Sequence, residues 1–526
     1  MEEYLRRAEN FIRNETQFQL GFLPSEAANP RTAHLDRDFA ESSARGLASL
    51  FSCDAALPPV LADALASAEF AELAARVKHS FAAGGRVILS GCGATGRIAI
   101  LIEAMWRDLH PGDGRVVAMM TGGELALARA VEHFEDYPEG GARQCADLGV
   151  DRRDLLIGIT ATGETASIVG SAAEAARRGA AVTMLICVPK ELPPSRLDRC
   201  RELYAMPGVT VLAMPGCGGM AISGSTRMQS STLEMLVVCA ALESAEGRGI
   251  EDYPANLRRL AASLLLPENL AALGGYLDFE AECAKAHEPV DYLPGFWLLD
   301  VLNDTTERPP TFKVPAFASR GDTEAPQPWC FVRDLEHSTP EAWRRCFRRE
   351  PRCLGWGAAD YAAMGPAARL AEDGVPDLSA AELFRIPIGG EELPERAGAH
   401  RVGISLSPEG VFAFSTAAGE FAARLDIAPT PLRTFGHLAL KLVMNAVSSG
   451  VMVKLGRIRG NWMTHLNLSN KKLVDRAVRI IAGLAGLDYR TACIELFRSL
   501  EELRDKPEVP AVNYTLERLE RFKRGS

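Results

Sequence analysis

The chain has 526 residues, of which 47% are hydrophobic and 24% are charged, a composition typical of soluble globular proteins. Its length exceeds what one hydrophobic core organises, so two or three domains are expected. The formal net charge of −10 argues against nucleic acid as a partner, because lysine and arginine must neutralise its phosphates.

The cysteines and the apolar runs exclude several classes of protein. The 12 cysteines form no CxxC pair and no disulfide framework, so we predict reduced thiols, no metal and no cofactor in a cytoplasmic protein. Cys283 and His287 are four apart on a predicted helix, but two ligands do not make a metal site. The first residues lack the apolar segment of a signal peptide, and runs such as 235–242 are too short to cross a bilayer. No membrane contact is predicted.

The N-terminal region precedes the first regular alternation. Residues 1–55 are predicted as a polar arm in which Pro30 favours an extended or turn conformation. An Ala-rich helical pattern follows over residues 57–83 and ends at Gly84 and Gly85.

From residue 86 onward, apolar strand runs alternate with helical patterns. The predicted strands are 86–89, 115–120, 155–159, 181–187 and 209–213. The predicted helices are 98–109, 125–134, 166–178 and 226–243. This rhythm predicts a parallel sheet with helices on both faces and a ligand site beyond the carboxyl ends of the strands.

A second and weaker alternation runs from residue 290 to about residue 414. Its predicted strands are 290–293, 330–332, 353–355, 384–387 and 402–406. The turn after the first of them reads Pro294-Gly295-Phe296-Trp297, so this copy has lost a glycine-rich phosphate loop. Residues 431–526 are predicted to be nearly all helical, interrupted at Gly456 and Gly460.

Three turns in the first alternation suit an anion. Residues 87–97 read Val-Ile-Leu-Ser-Gly-Cys-Gly-Ala-Thr-Gly-Arg, which predicts a strand, a glycine-rich turn and a helix start where backbone N–H groups meet negative charge. Hydroxyl groups mark the turns at residues 160–165 and 223–226. A single glycine-rich turn fits a nucleotide site or a plain structural turn equally well. Three such turns in one domain favour a phosphorylated ligand, because each helix-end contact contributes only ~0.3–1 kcal/mol.

These turns belong to a longer ordered series of motifs. The series comprises Asn29-Pro30-Arg31-Thr32, Gly91-Cys92-Gly93-Ala94-Thr95-Gly96-Arg97, Thr121-Gly122-Gly123-Glu124, Val131-Glu132-His133-Phe134-Glu135-Asp136, Gly158-Ile159-Thr160-Ala161-Thr162-Gly163, Ser223-Gly224-Ser225-Thr226-Arg227-Met228 and Ser469-Asn470-Lys471-Lys472-Leu473. It resembles the sugar isomerase (SIS) fold group, and within it N-acetylmuramic acid 6-phosphate etherase and the glucokinase regulatory protein. The resemblance extends from residue 25 to about residue 500.

The resemblance implies an α/β fold of two tandem SIS domains, each flavodoxin-like with a parallel sheet in three αβα layers, followed by a helical lid. The expected parts are an N-terminal arm at 1–55, a phosphosugar-binding SIS domain at 56–266, a degenerate SIS domain at 267–430 and a helical region at 431–526. The etherase is a homodimer of single domains, whereas the regulatory protein carries both domains in one chain. We therefore expect a pseudo-dimer within this chain.

The resemblance also implies the residues of the site. The sugar phosphate would bind Gly93, Ala94, Thr95, Gly96, Thr160, Thr162, Gly163, Thr165, Ser223, Ser225 and Lys472.

Two glutamates would act as acid and base, and by motif position the base is Glu135. The second glutamate is replaced by Met105 in the first domain, but the second domain reads Asp304-Thr305-Thr306-Glu307-Arg308-Pro309-Pro310-Thr311-Phe312. We hypothesise that Glu307 faces the phosphate loop and completes one composite site.

Several alternatives stay open from the sequence. The chain could be a carbon–oxygen lyase that releases lactate from a 6-phosphosugar, or a sugar-phosphate-responsive regulator of a sugar kinase. A third option, aldose–ketose isomerisation, would use His133, His437 or His465 for ring opening, although structural roles suit these histidines better. Arg97 could hold carboxylates at the sheet end or the ligand phosphate, and Glu103 is expected to be a solvated or paired surface carboxylate.

Overall fold

The computed structural model describes residues 2–322 and 324–525. Its N-terminal part contains five helices: α1 (Glu3–Asn14), α2 (Leu35–Glu41), α3 (Ser43–Asp54), α4 (Pro58–Leu65) and α5 (Ala68–Ala82). The turn predicted at Pro30 is a short 3-10 turn, in which the Asn29 side chain accepts the Arg31 N–H. The expectation of a polar arm over residues 1–55 is wrong for α3. This helix buries Leu47 and Phe51 completely and so belongs to the core.

The first sheet is fully parallel. Its strands are β1 (Val87–Gly91), β2 (Val116–Met120), β3 (Leu155–Ile159), β4 (Ala181–Ile186) and β5 (Val209–Ala213), in the order β2-β1-β3-β4-β5. This is the flavodoxin-like order, and it confirms the predicted α/β fold class. Strands β1 to β3 are buried along their whole length, which explains their continuous apolar runs.

Seven helices surround or follow this sheet: α6 (Ala94–Leu109), α7 (Leu125–Ala128), α8 (Pro138–Asp147), α9 (Ala166–Arg177), α10 (Leu192–Arg196), α11 (Asp198–Tyr204) and α12 (Gln229–Ala245). The single helix predicted over residues 125–134 is wrong. Helix α7 ends at Ala128, and Glu132–Asp136 forms a separate 3-10 turn. Arg129 between them is extended and binds Glu382 and Ser319 of the second half, contacts that no local pattern reveals.

The second half begins with α13 (Tyr253–Leu264) and α14 (Pro267–Ala286). Its strands are β6 (Val290–Leu293), β7 (Cys330–Val332), β8 (His400–Leu406), β9 (Val411–Thr416) and β10 (Gly419–Arg424). Its helices are α15 (Leu298–Thr305), α16 (Arg308–Phe312), α17 (Thr339–Phe347), α18 (Ala358–Ala363) and α19 (Ala380–Leu383).

The second sheet has the order β10-β9-β8-β6-β7 and is mixed, which corrects the expectation of a second fully parallel, flavodoxin-like sheet. Strand β6 is parallel to β7 and β8. At the edge of the sheet, β9 pairs antiparallel with β8, and β10 pairs antiparallel with β9. The strands predicted over 353–355 and 384–387 are therefore wrong, and the antiparallel pair was missed. Short apolar runs do not distinguish strands from packed loops, and here Leu354 packs against Gly123 of the first half.

The C-terminal region is mainly helical, as predicted. It contains α20 (Thr434–Lys454), the strand pair β11 (Ile458–Arg459) and β12 (Trp462–Met463), and then α21 (Lys471–Ala485), α22 (Tyr489–Glu502) and α23 (Ala511–Gly525).

Two helical stretches are long and apolar enough to contradict the expectation that no segment could cross a bilayer. By length and composition alone, Ser43–Leu65 and Thr434–Lys454 could cross a membrane. Within the protein, 94% of the apolar window of α20 is buried, against elements that include α3, α14 and α15. Its apolar character is therefore explained by its position in the core.

One continuous hydrophobic core joins the two sheets. The sheets fall within the ranges expected for the two SIS domains, while the exact domain boundaries stay a prediction.

Candidate functional site

A cavity of about 100 Å³ lies beyond the carboxyl end of β1, between the two halves and α21. Five separate stretches of the chain line it: 92–97, 120–135, 224–226, 307–311 and 463–476. Its polar lining residues include Arg97, Thr121, Glu135, Ser225, Thr226, Glu307, Thr311, Lys472 and Arg476. Glu135, Glu307 and Lys472, all expected from the sequence, therefore border the same space.

The glycine turn brings the amino end of α6 to this cavity. Gly93 caps the helix with a φ of 53°, a conformation that favours glycine. A Cβ on Gly91 would lie 2.5 Å from the Gly96 nitrogen, so the strand and the helix approach closely only because Gly91 has no side chain. Gly93 and Ala94 line the cavity, where the positive end of the helix dipole favours an anion.

Other residues predicted for phosphate binding serve the turns themselves. Thr95 Oγ1 accepts the Cys92 N–H and donates to the Cys92 carbonyl, each at 3.0 Å. Ser223 Oγ donates to Asn461 Oδ1 at 3.1 Å. Thr95, Gly96 and Ser223 are absent from the lining of the cavity, as judged over the residues that the structure describes.

The turn at residues 160–165 is likewise internally bonded. Thr160 and Thr165 share a hydrogen bond of 2.9 Å between their hydroxyls, and Thr162 donates to Glu164. Glu164 in turn pairs with Arg199 at 2.5 Å. Thr160, Thr162, Gly163 and Thr165 are buried and, within the described part of the chain, do not border the cavity. Of the predicted phosphate ligands, the cavity gathers Gly93, Ala94, Ser225 and Lys472.

Glu135 is held by residues at the start of α21. Its carboxylate forms an ion pair with Lys472 and accepts a hydrogen bond of 3.0 Å from Asn470 Nδ2. Burial alone would lower the pKa of Lys472, but the Glu135 carboxylate raises it above its ordinary value. Next to them, Asp136 accepts the Lys471 N–H at 3.0 Å, and burial raises the pKa of Asp136 to about 7.

Glu307 approaches the cavity from the second half, at the start of α16. Nη1 of Arg97 lies 2.8 Å from its Oε2, and only 14% of the Glu307 side chain is exposed. The contact is an ion pair and not a well-directed hydrogen bond, so Oε2 keeps hydrogen-bonding capacity. Arg97 also donates to the carbonyls of Leu127 and Thr306. Arg97 therefore pairs with a carboxylate, while its binding to a ligand phosphate stays a prediction.

A buried ionic cluster fixes the two halves around this cavity. Glu103 pairs with Arg349 at 2.8 Å and with Arg352 at 2.7 Å, and Arg349 also pairs with Glu124. Glu103 is only 1% exposed, so the surface position expected for it is wrong. Burial would raise the pKa of Glu103, but Arg349 and Arg352 hold it well below its ordinary value.

Arg476 is a lining residue that sequence reasoning missed. Its Nη2 pairs with the buried Glu26 at 2.7 Å, and Arg479 binds the same carboxylate. Burial would raise the pKa of Glu26, yet the two guanidinium groups hold it well below its ordinary value. The sequence signal for this contact was the N-terminal stretch from residue 25, which resembles the SIS fold group and includes Glu26.

The three candidate histidines lie outside the lining of the cavity, as far as the described residues extend. His437 Nδ1 is 2.8 Å from Asp300 Oδ1 in a buried pair. Burial lowers the pKa of His465 to about 4. His133 borders a separate, more open cavity lined by α1 and residues 468–471.

The cavity therefore combines a helix amino end, hydroxyl groups and two carboxylates, each paired with one cation. Carboxylates held near a ligand can transfer protons, and cations with helix N–H groups can bind an anion. Both functions are available in one space because Glu135 and Glu307 come from different halves of the chain.

The chain is similar to several known proteins. The sequence profile of the glucokinase regulatory protein N-terminal SIS domain matches residues 69–175. N-acetylmuramic acid 6-phosphate etherase of Aliivibrio salmonicida (strain LFI1238) is 33% identical over 171 residues, which are 32% of this chain and 53% of the relative. The etherase of Rhodopirellula baltica (strain DSM 10527 / NCIMB 13988 / SH1) is 31% identical over 222 residues, which are 42% of this chain and 68% of the relative.

The chain thus spans about half the length of the Aliivibrio relative that it matches. A solved structure provisionally named a phosphosugar isomerase, from Silicibacter pomeroyi DSS-3, is similar with a TM-score of 0.37 and 12% identity. That match covers 77% of this chain and 98% of the other, and its likeness is too low to support an argument.

Proposed function

This chain belongs to the family of SIS-domain proteins that includes the N-acetylmuramic acid 6-phosphate etherases and the glucokinase regulatory proteins, and from that premise we propose that it binds a 6-phosphorylated amino sugar and acts on it as an etherase-like lyase. The observation that carries the proposal is that Glu135 and Glu307 border one cavity together with the amino end of α6. A carboxylate pair beside an anion site suits acid–base chemistry on a phosphosugar.

In this proposal the phosphate binds near Gly93, Ala94 and Ser225, where the helix dipole and the hydroxyl stabilise negative charge. Lys472 adds a cation at the same wall. Thr160, Thr162 and Thr165 would support the loop behind the ligand, since their hydroxyls are engaged in the turn.

The reaction uses the two carboxylates in sequence. Glu135 takes the proton from the carbon next to the open-chain aldehyde, and the electron pair forms a carbon–carbon double bond as the bond to the lactate oxygen breaks. Glu307 donates a proton to that oxygen, and lactate leaves. Glu307 then takes a proton from water, whose oxygen adds to the double bond while Glu135 returns its proton to the neighbouring carbon. Such acid–base catalysis contributes a factor of about 10²–10⁴ in reaction rate per group.

The two ion pairs set a condition on this order of proton transfers. Glu307 is paired with Arg97, and Glu135 is paired with Lys472. A carboxylate suits Glu135 as the base. Glu307 must acquire a proton before it acts as the acid, which requires the bound phosphosugar to weaken its contact with Arg97.

A second candidate function is a sensor that binds a sugar phosphate and regulates a sugar kinase. The match of residues 69–175 to the glucokinase regulatory protein profile favours it, and a pair of glutamates can also hold sugar hydroxyls without reacting. Aldose–ketose isomerisation has less support, because the lining of the cavity, over the residues described, includes no histidine. Cytoplasmic location and the absence of nucleic-acid and membrane partners stay predictions.

The test incubates the purified chain with N-acetylmuramic acid 6-phosphate and measures lactate. If the lyase proposal is right, the wild type releases lactate, and the rate of release falls about 10²–10⁴-fold in Glu135→Gln and in Glu307→Gln. Glu202→Gln, an exposed glutamate on α11, is the matched control and should retain full activity. No lactate from the wild type, together with tight binding of a fructose phosphate, would replace the lyase by the sensor.

A further inference from the structure

A second cluster of chemically reactive side chains lies away from the cavity, at the amino ends of β6 and β8. Cys283 is in the last turn of α14, Glu288 follows that helix, and His400 is the first residue of β8. A thiol sulphur, a carboxylate oxygen and an imidazole nitrogen from these residues lie within 4.8 Å of one another. His400 Nε2 is 2.8 Å from Glu288 Oε2.

Backbone contacts fix each of these positions. Helix α14 ends at Ala286, the next residue His287 has a φ of 57°, and the Glu288 N–H donates to the Cys283 carbonyl at 2.9 Å. This turn folds Glu288 back over the end of the helix. The His400 N–H donates to the Pro289 carbonyl at 2.8 Å, which brings β8 to the same place.

We propose that Cys283, Glu288 and His400 form a binding site for a divalent transition metal of the Zn²⁺ class. Thiolate, imidazole and carboxylate are the ligand types that Zn²⁺ uses, and a tetrahedral site places ligand atoms about 3–4 Å apart. The observed separations, 2.8 Å for one pair and at most 4.8 Å for the others, need adjustments of about 1 Å. Three protein ligands leave the fourth position to water.

The exposure of these side chains fits such a site. Cys283 is buried, whereas the side chains of His400 and Glu288 are 39% and 55% exposed, so a metal ion can arrive from solvent and meet the thiol on the protein side. Burial, followed by the nearby Glu288 carboxylate, raises the pKa of the Cys283 thiol to about 11. Because the ligand to a metal ion is the thiolate, metal binding at Cys283 releases a proton.

The position in the fold indicates a structural role. The cluster lies at the amino end of β6, whereas Glu307 follows the carboxyl end of that strand. A metal here would link the end of α14 to β8 and stabilise the second sheet without touching the cavity. The inference is therefore independent of the lyase proposal.

The test titrates the full reduced chain with Co²⁺, a spectroscopic substitute for Zn²⁺. Wild type should bind one equivalent with a thiolate-to-cobalt charge-transfer band and the visible bands of a tetrahedral site. Cys283→Ser should abolish the charge-transfer band. Cys353→Ser removes a partly exposed thiol outside the cluster, and this control variant should keep the band.

Glu288→Gln and His400→Gln change partly exposed side chains, so they report on the site even if Cys283→Ser fails to fold. Each should weaken Co²⁺ binding at least tenfold and remove the rise in Tm that Zn²⁺ produces in the wild type. Absence of the charge-transfer band from the wild type, its survival in Cys283→Ser, or unchanged binding in both glutamine variants would overturn the proposal.

Discussion

Arg97 on α6 and Glu307 at the start of α16 form an ion pair, with 2.8 Å between Nη1 and Oε2, that connects the two halves of the chain at the wall of the cavity. Arg97 is 3% exposed, and it also donates to the main-chain carbonyls of Leu127 and Thr306 and to the Thr306 hydroxyl. The glycine-rich loop and the glutamate of the second half are thus joined through the side chain that ends the loop motif.

Removing Arg97 should destabilise the protein strongly. Arg97→Met leaves the Glu307 carboxylate without its cation, and we expect a loss of about 3–5 kcal/mol in the free energy of unfolding. The double variant Arg97→Met/Glu307→Met removes both charges and should recover most of that loss. Urea unfolding of the wild type, both single variants and the double variant measures the coupling. Additive losses would show that the pair contributes no interaction energy.

Lys472 should matter for ligand binding in a way that its neighbour Lys471 does not. Lys472 borders the cavity beside Glu135, whereas Lys471 pairs with Glu15 outside it. Lys472→Met should weaken phosphosugar binding at least tenfold, about 1.4 kcal/mol, as measured by calorimetry. Lys471→Met should bind like the wild type, and equal losses in the two variants would remove Lys472 from the ligand site.

The Glu103 cluster should contribute to stability and to its pH dependence. Glu103→Gln removes the buried carboxylate that Arg349 and Arg352 share and leaves Arg349 with Glu124 alone, so we expect a loss of about 3–5 kcal/mol at pH 7. Because the pKa of Glu103 is depressed, this stabilisation is present above the ordinary glutamate value of 4.5 and is lost as the pH falls below it.

Asp108→Asn provides the control, since Asp108 pairs with Arg348 in a more exposed position. It should cost only about 0–1 kcal/mol in the same urea unfolding experiment. A loss in Glu103→Gln no larger than that of the control would contradict the role of the cluster.

Asp136 should lower stability as the pH rises. Its folded pKa of about 7 lies above the ordinary value of 3.8, so between these values the folded protein holds a proton that the unfolded chain has lost. Stability therefore falls as the pH rises from about 4 to about 7. Asp136→Asn lacks this effect and should exceed the wild type by about 1–3 kcal/mol at pH 8, with the difference vanishing near pH 4.

Urea unfolding at pH 5 and pH 8 measures the Asp136 effect directly. Asp63→Asn, an exposed aspartate on α4, should follow the wild type at both pH values. Parallel stability curves for Asp136→Asn and the wild type would show that this carboxyl group is not held protonated.

Local sequence determined the first sheet and the loop that follows it. Buried parallel strands carry continuous apolar runs, so the fully buried β3 was predicted at its observed bounds. The edge strand β5, which is only partly buried, was also predicted at its observed bounds. Gly91 and Gly93 marked the turn because a side chain at the first would collide with α6 and the second has a positive φ. The motif at residues 304–312 likewise identified Glu307 as a candidate without any contact information.

Only the tertiary structure decided which of these residues share a space. The segments at residues 353–355 and 384–387 have apolar runs like those of strands, yet neither forms a strand. Their apolar side chains pack against residues far along the chain, as Leu354 does against Gly123. Glu103 resembles a surface carboxylate on its own helix and is buried by Arg349 and Arg352. Side chains such as Arg97 and Glu307 meet through long-range packing, which no local pattern of residues encodes.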